Sequence, residues 1–284
     1  MASGLRFPDG NFMGARKFSV LIFMISFAML LAIACGDKET AGRENAAADL
    51  TVPPQYDGWI ADTTVHFIMH YPGDVVWLDQ TAEISAFFER MLKEDCFYLS
   101  LPLPESTIHV YTYNSPNQAA ELTGREVPFI VAHQIHWDKV LTPIGAGLMM
   151  YLIENSGRGK PGFDFLYDGL LTLRDYSKNN YHHLTGVLIQ MELYIPLDSL
   201  GDNEAYRRQD DRSRSHEAAS LVAFLTYVYG VEVLPAIWTA GTSLREVVTT
   251  TLESDFDTLE ETWKKFALER CRGAVVDTIK LGTD

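Results

Sequence analysis

Apolar residues recur every three or four positions through most of the second half of this chain, and alternate imperfectly in a few short runs of the first half. The first run, Val65 to His70, is stopped by Tyr71-Pro72-Gly73-Asp74 and predicts a strand ended by a turn. From Leu78 to about Leu99, Ile84, Phe87, Phe88, Met91 and Leu92 share the buried face of a helix. Ile108–Tyr113 and Phe129–Trp137 are predicted as two further strands, with a short helix around Asn117–Leu122 between them. Helices are then predicted over Thr142–Glu154, Phe163–Tyr176, Tyr181–Met191, Ser215–Tyr229, Val233–Ala240, Ser243–Thr251 and Thr258–Arg272. The last has an acidic first turn, with Glu260 and Glu261 at the positive end of its dipole. Strands first and helices after is the order of an α+β domain with a short mixed β-sheet in its N-terminal half and a mainly helical C-terminal half.

The first 34 residues break this pattern. Arg16 and Lys17 precede an uncharged, mostly apolar run from Phe18 to Ala34, the order of an export signal. The run ends L-A-I-A-C-G and resembles the lipobox of bacterial lipoproteins, with Ala32 where that motif usually has Leu. The resemblance implies cleavage before Cys35, lipid on that cysteine, and a membrane as partner through the lipid. The alternative is an uncleaved anchor, for which the run is short. In both cases the only basic cluster beside the run lies on its N-terminal side, which places the rest of the chain in the cell envelope, outside the cytoplasm. Gly36 stands where an inner-membrane retention signal would have Asp, so the outer membrane is the preferred location in a host that has one. Residues 35–56 are polar, Ala-rich and marked by Pro53 and Pro54, and are expected to be a flexible tether. The domain is expected over 57–273, with a C-terminal tail over 274–284.

Charge narrows the partners. Net charge is −15, and losing positions 1–34 with Arg6, Arg16, Lys17 and Asp9 takes it to about −17, which argues against nucleic acid. With Cys35 assigned to lipid, Cys96 and Cys271 are an even pair in a compartment that permits disulfides; a bridge and two free thiols both remain open. Neither a G-x-x-x-x-G-K phosphate loop nor a G-x-S-x-G nucleophile elbow occurs.

In that order of elements, the stretches HFIMHYPGD, IHVYTY, the strand ending IHW, TPIGAGLMMYLI, FLYDGLLTL and HEAASLVAFLTYVYG resemble the peptidase MA-like, gluzincin-type zinc metallopeptidases from about Val65 to Leu268. The resemblance implies a thermolysin-like catalytic-domain architecture. It also implies zinc, held by H-E-x-x-H on the helix after the IHW strand: residues four apart share a helix face, so two imidazoles can meet one ion while the intervening Glu polarises its water. Here those positions are Ala146 and Met150, with Gly147 at the general base. The family's third ligand, a glutamate on the next helix, corresponds to Asp168 in Asp168-Gly169-Leu170-Leu171. Ser220 and Tyr229-Gly230 match a later helix that packs the core in relatives. Zinc is expected of the family, but its ligands are missing.

The histidines offer poor substitutes. His133 and His136 are three apart on a predicted strand and point to opposite faces. His182 and His183 are adjacent at a helix start, about 100° apart. His216-Glu217 reads as a first-turn pair behind Ser215 as N-cap. His66 and His70 share a strand face far from the zinc helix. Cys96 and Cys271 lie in helical patterns with no neighbouring histidine. Asp168 could still attract a cationic group, or be a solvated capping acid. Residues 203–217, NEAYRRQDDRSRSHE, read as a mobile, solvated loop over the cleft. The expectation is a lipid-anchored pseudo-peptidase whose former cleft binds a peptide or envelope protein. The alternatives are a hydrolase with a rearranged site using His133 or His136 with Asp168, and an unrelated α+β binding module.

Overall fold

A computed structural model describes residues 53–74, 81–138, 144–177, 179–238 and 243–273. The stretch read as an export signal, Cys35, most of the expected tether and the expected tail lie outside these residues. Five strands, β1 (Trp59–Thr63), β2 (Phe67–Pro72), β3 (Ile108–Tyr113), β4 (Phe129–Val131) and β5 (Gln134–Asp138), form one mixed sheet in the order β1-β2-β3-β5-β4. The α+β arrangement read from the sequence is the one found.

The connections dictate the pairing. β1 and β2 are joined by three residues and are antiparallel, whereas β2 and β3 are parallel and need the crossover that α1 (Thr81–Tyr98) supplies. After α2 (Pro116–Thr123), β4 and β5 form a hairpin, and β5 lies parallel to β3. The single strand predicted over Phe129–Trp137 is therefore two: Val131 pairs with Gln134, and Ala132, at φ 48°, turns the chain. No Gly, Asn or Pro marks this turn, and apolar residues on both sides disguise it. β1 carries no sequence signal because its side chains are mostly exposed. β2 runs past the predicted stop to Pro72, beyond the last residue paired with β3, where a missing N–H is not needed there.

Phe67, Met69, Ile108, Val110, Ile135 and Trp137 point to one face and pack with Phe88, Met91 and Leu92 of α1. The other face carries rings that follow the register from strand to strand. His70 stacks on Tyr111 at 4.3 Å, Tyr111 on His136 at 4.8 Å and His136 on Phe129 at 4.3 Å, all within 9° of parallel. Burial, with Arg125 and His70 nearby, lowers His136 to about 3; burial, with His109 nearby, lowers His70 to about 4. Both are neutral rings at physiological pH.

The helical half comprises α3 (Ile144–Asn155), α4 (Asp164–Leu173), α5 (Tyr181–Gln190), α6 (Leu197–Leu200), α7 (Asn203–Arg207), α8 (Asp211–Tyr229), α9 (Val233–Trp238), α10 (Leu244–Thr251) and α11 (Phe256–Gly273). No helix among the described residues is long and apolar enough to cross a membrane. α6 and α7 are absent from the sequence reading, and α8 begins at Asp211, with Asp210 rather than Ser215 accepting the capping bond from Ser213 N at 3.0 Å. Residues 203–217 are thus two helical pieces with Tyr206 and Glu217 buried, not a solvated loop. α4 meets α8 at Gly169, where a Cβ would lie 2.7 Å from the Ala218 carbonyl.

One arginine joins three helices. Arg174, just past α4, donates from Nε to Asp95 Oδ1 of α1 at 2.6 Å and reaches Glu94 at 3.2 Å. Its carbonyl lies where a Cβ on Gly145 of α3 would come within 2.0 Å. Asp95 is fully buried, and burial raises its carboxyl to about 6 in spite of the guanidinium. Removing one partner of a buried pair strands the other. Arg174→Met is expected to cost about 3–5 kcal/mol, read as a shift of the urea unfolding midpoint, and adding Asp95→Asn to it should recover part of that loss.

Candidate functional site

α3 follows β5 directly in sequence, and Gly147 of α3 packs with its Cα face 3.3 Å (as an added Cβ) from Ile135 of β5, so no longer side chain fits there without movement. Ala146 and Met150 are half-buried on the same helix. The donor set fails a zinc ion on chemistry: alanine and glycine offer no side-chain donor, and a thioether is soft and weak beside a hard carboxylate. Among the described residues no group of three or more His, Cys, Asp or Glu could hold a metal.

Asp168 is engaged by the chain itself. Its Oδ2 accepts from Tyr206 OH of α7 at 3.1 Å, and Arg214 Nε of α8 stands 3.8 Å away. The Arg214 guanidinium lies over the Tyr206 ring, 5.5 Å from its centre, and binds Asp211 at 2.9 Å. Burial raises the Asp168 carboxyl, and the Tyr206 hydroxyl and Arg214 charge oppose that rise. A hydroxyl and a guanidinium therefore occupy the carboxylate oxygen that the resemblance assigns to zinc. Asn203 holds the start of the same helix, accepting from Asp164 N at 2.8 Å, while Arg207 pairs with Asp164 at 2.6 Å. The sequence reading missed Tyr206 and Arg214; the one signal was an aromatic residue inside a charged segment.

The histidines are dispersed, as their individual partners show. His133 sits in the β4–β5 turn with Nδ1 3.1 Å from Tyr151 OH, while His136 lies in the sheet between Tyr113 OH at 2.7 Å and Gln134 at 3.2 Å. These partners, and those of Asp168, are different residues, so the structure does not bring the three groups together as the rearranged site requires. His66 precedes β2 and pairs with Glu89 at 2.8 Å, whereas His70 bonds His109 at 2.9 Å, so these two do not act as one face. His182 points inward, 3.0 Å from Ser220 Oγ, which also accepts from Trp263 Nε1 at 3.2 Å; Ser220 is fully buried and serves the core. His183 faces outward and lies 3.5 Å from Cys271 Sγ. Cys96 is buried and Cys271 half-buried, both as free thiols, so the bridge held open by the sequence is not formed, and Cys271 does have a histidine neighbour. It faces α5, where Gly186 leaves room for it.

One recess of ligand size adjoins α3. A cavity of about 330 Å³ has a mixed lining, with Leu101, Leu103 and Leu152 as apolar residues and Glu105, Ser106 and Asn155 as polar ones, beside the His133–Tyr151 pair.

Glu217, read from sequence as an exposed first-turn acid, is fully buried in α8. Its Oε2 accepts from Ile195 N at 2.9 Å, and Oε1 has no partner among the described residues. Burial raises it to about 8, so the carboxyl is protonated at neutral pH. Because the folded value exceeds the unfolded one, its contribution is complete below about pH 4.5 and is lost as pH rises through about 8. Glu217→Gln keeps the bond to Ile195 N without the titration. Between pH 5 and pH 8.5 the parent should lose a few kcal/mol more stability than this variant, as urea unfolding at each pH would show.

No family model, curated protein or solved structure matches the chain.

Proposed function

We propose that this chain is a lipid-anchored, non-catalytic component of the cell envelope, built on a metallopeptidase-like scaffold and acting by binding a peptide or envelope protein. One observation carries the reading: the residue left at the family's zinc positions, Asp168, is taken up by Tyr206 and Arg214, while Ala146, Gly147 and Met150 supply no ligand. The mixed sheet followed by α3 and α4 is the order the scaffold requires. The recess beside Tyr151 and His133, next to that same α3, offers Leu101, Leu103 and Leu152 to an apolar side chain of a bound segment and Glu105, Ser106 and Asn155 to its polar groups. The membrane attachment rests on the lipobox-like stretch ending at Cys35.

Two experiments test this. The full-length chain in detergent, incubated with zinc and desalted, should retain well under one ion per chain and show no zinc-dependent peptide hydrolysis; turnover that a chelator abolishes would overturn the non-catalytic reading. Ala146→His with Met150→His restores two imidazoles at i and i+4. If the scaffold is the family's, that double variant gains zinc over the parent; a variant that folds and gains none refutes the resemblance.

Attachment is tested separately. Cys35→Ser should leave an uncleaved, unlipidated precursor, seen as the loss of the acyl mass on the N-terminal peptide. An identical N-terminal peptide mass, apart from the substitution, would refute lipidation.

A further inference from the structure

Three candidates stand outside the Asp168 region: the ring-bearing face of the sheet, the cavity beside Tyr151, and the pair formed by Cys271 and His183. The rings are committed to one another, and the cavity belongs to the binding reading above. The pair brings a nucleophile and a base together from two different helices at an accessible position.

Cys271 lies near the end of α11 and His183 in the first turn of α5. The thiol lies within reach of two acceptors of the same residue, the His183 carbonyl at 3.6 Å and Nδ1 at 3.5 Å; in the tautomer whose Nδ1 carries no proton, the imidazole is placed to take the thiol proton. The contact depends on a missing side chain. A Cβ on Gly186 would come within 2.5 Å of Cys271 Cβ and 3.0 Å of its Sγ, so α5 and α11 approach closely only because that residue is glycine. His183 is exposed, which leaves the pair open to a small molecule. His182, one residue away, is turned into the core against Ser220 and does not compete for the thiol. Cys96 is buried on α1 and both cysteines are free thiols, with Cys271 the more accessible of the two.

We infer that Cys271 and His183 form a thiol-exchange site, at which Cys271 takes up a small thiol from a low-molecular-weight disulfide. His183 Nδ1 accepts the proton, and the Cys271 thiolate attacks one sulfur of R–S–S–R. The Cys271–S–S–R bond forms as the R–S–S–R bond breaks; RS⁻ leaves with the electron pair and is protonated by the imidazolium. Cys271 is oxidised and one R–S half is reduced, so the disulfide is the only co-reactant. This site is separate from the binding reading above and stands or falls without it.

The test uses the full-length chain in detergent with oxidised glutathione at neutral pH, and follows adduct formation by peptide-mapped mass spectrometry. One glutathione should appear on the Cys271 peptide, at a rate at least about tenfold above that of the same cysteine in the urea-unfolded chain. His183→Ala and His183→Gln, each with unchanged circular dichroism, should bring the rate down to the unfolded value, while Cys271→Ser removes the adduct. A native rate equal to the unfolded one, histidine variants that react like the parent, or oxidation that instead joins Cys271 to a second copy would each overturn the assignment.

Discussion

Asp95 is a carboxylate with no access to water, and the position of three helices follows from how its charge is met. A buried ion is tolerated only where a partner of opposite charge and good geometry is fixed beside it. Arg174 supplies that partner, and it stands where α4 ends, so the end of α4 is tied to the last turn of α1. The same residue's carbonyl sits against Gly145, which sets how closely the start of α3 can approach. The helices that carry Ala146, Met150 and Asp168 are therefore referred to a common point. The placing of these helices relative to one another therefore rests on this buried pair and on a close glycine contact, and on no side chain of Ala146, Met150 or Asp168.

The polar interior of the helical half repeats this logic with different chemistry. Asp168 is met by a hydroxyl and a guanidinium, which oppose the rise that burial gives its carboxyl. Glu217 has one backbone donor and no cation, and it is accommodated by keeping its proton. Ser220 is satisfied by Trp263 and His182, the latter held neutral at about 4 by burial near Arg270. Each buried group is either paired or uncharged.

Much of the fold was legible because long amphipathic helices announce themselves through their period. α1, α5 and α11 fall close to their predicted ranges, and the strand Ile108–Tyr113 matches its own. The failures have physical causes. β1 is an edge strand with little to bury, and the β4–β5 hairpin turns on a left-handed alanine with no turn residue to mark it. Placing the start of α8 four residues late made Glu217 a surface acid when it is a core one. That Ala146, Gly147 and Met150 make a poor set of metal donors could be read directly, since it is a property of residue type. The partners of Asp168 could not, because Tyr206 and Arg214 lie about forty residues away and reach it only through the packing of α4 against α7 and α8.

The stack of His70, Tyr111, His136 and Phe129 has a consequence for how the sheet is assembled. Each ring sits directly opposite the next in the ladder, one from each of β2, β3, β5 and β4. Side chains alternate faces along a strand, so a slip of one residue in any of these pairings would turn a ring to the opposite side and open a gap in the pile. The row of rings thus works as a key cut across four strands, rejecting misaligned pairings that backbone hydrogen bonds alone would accept.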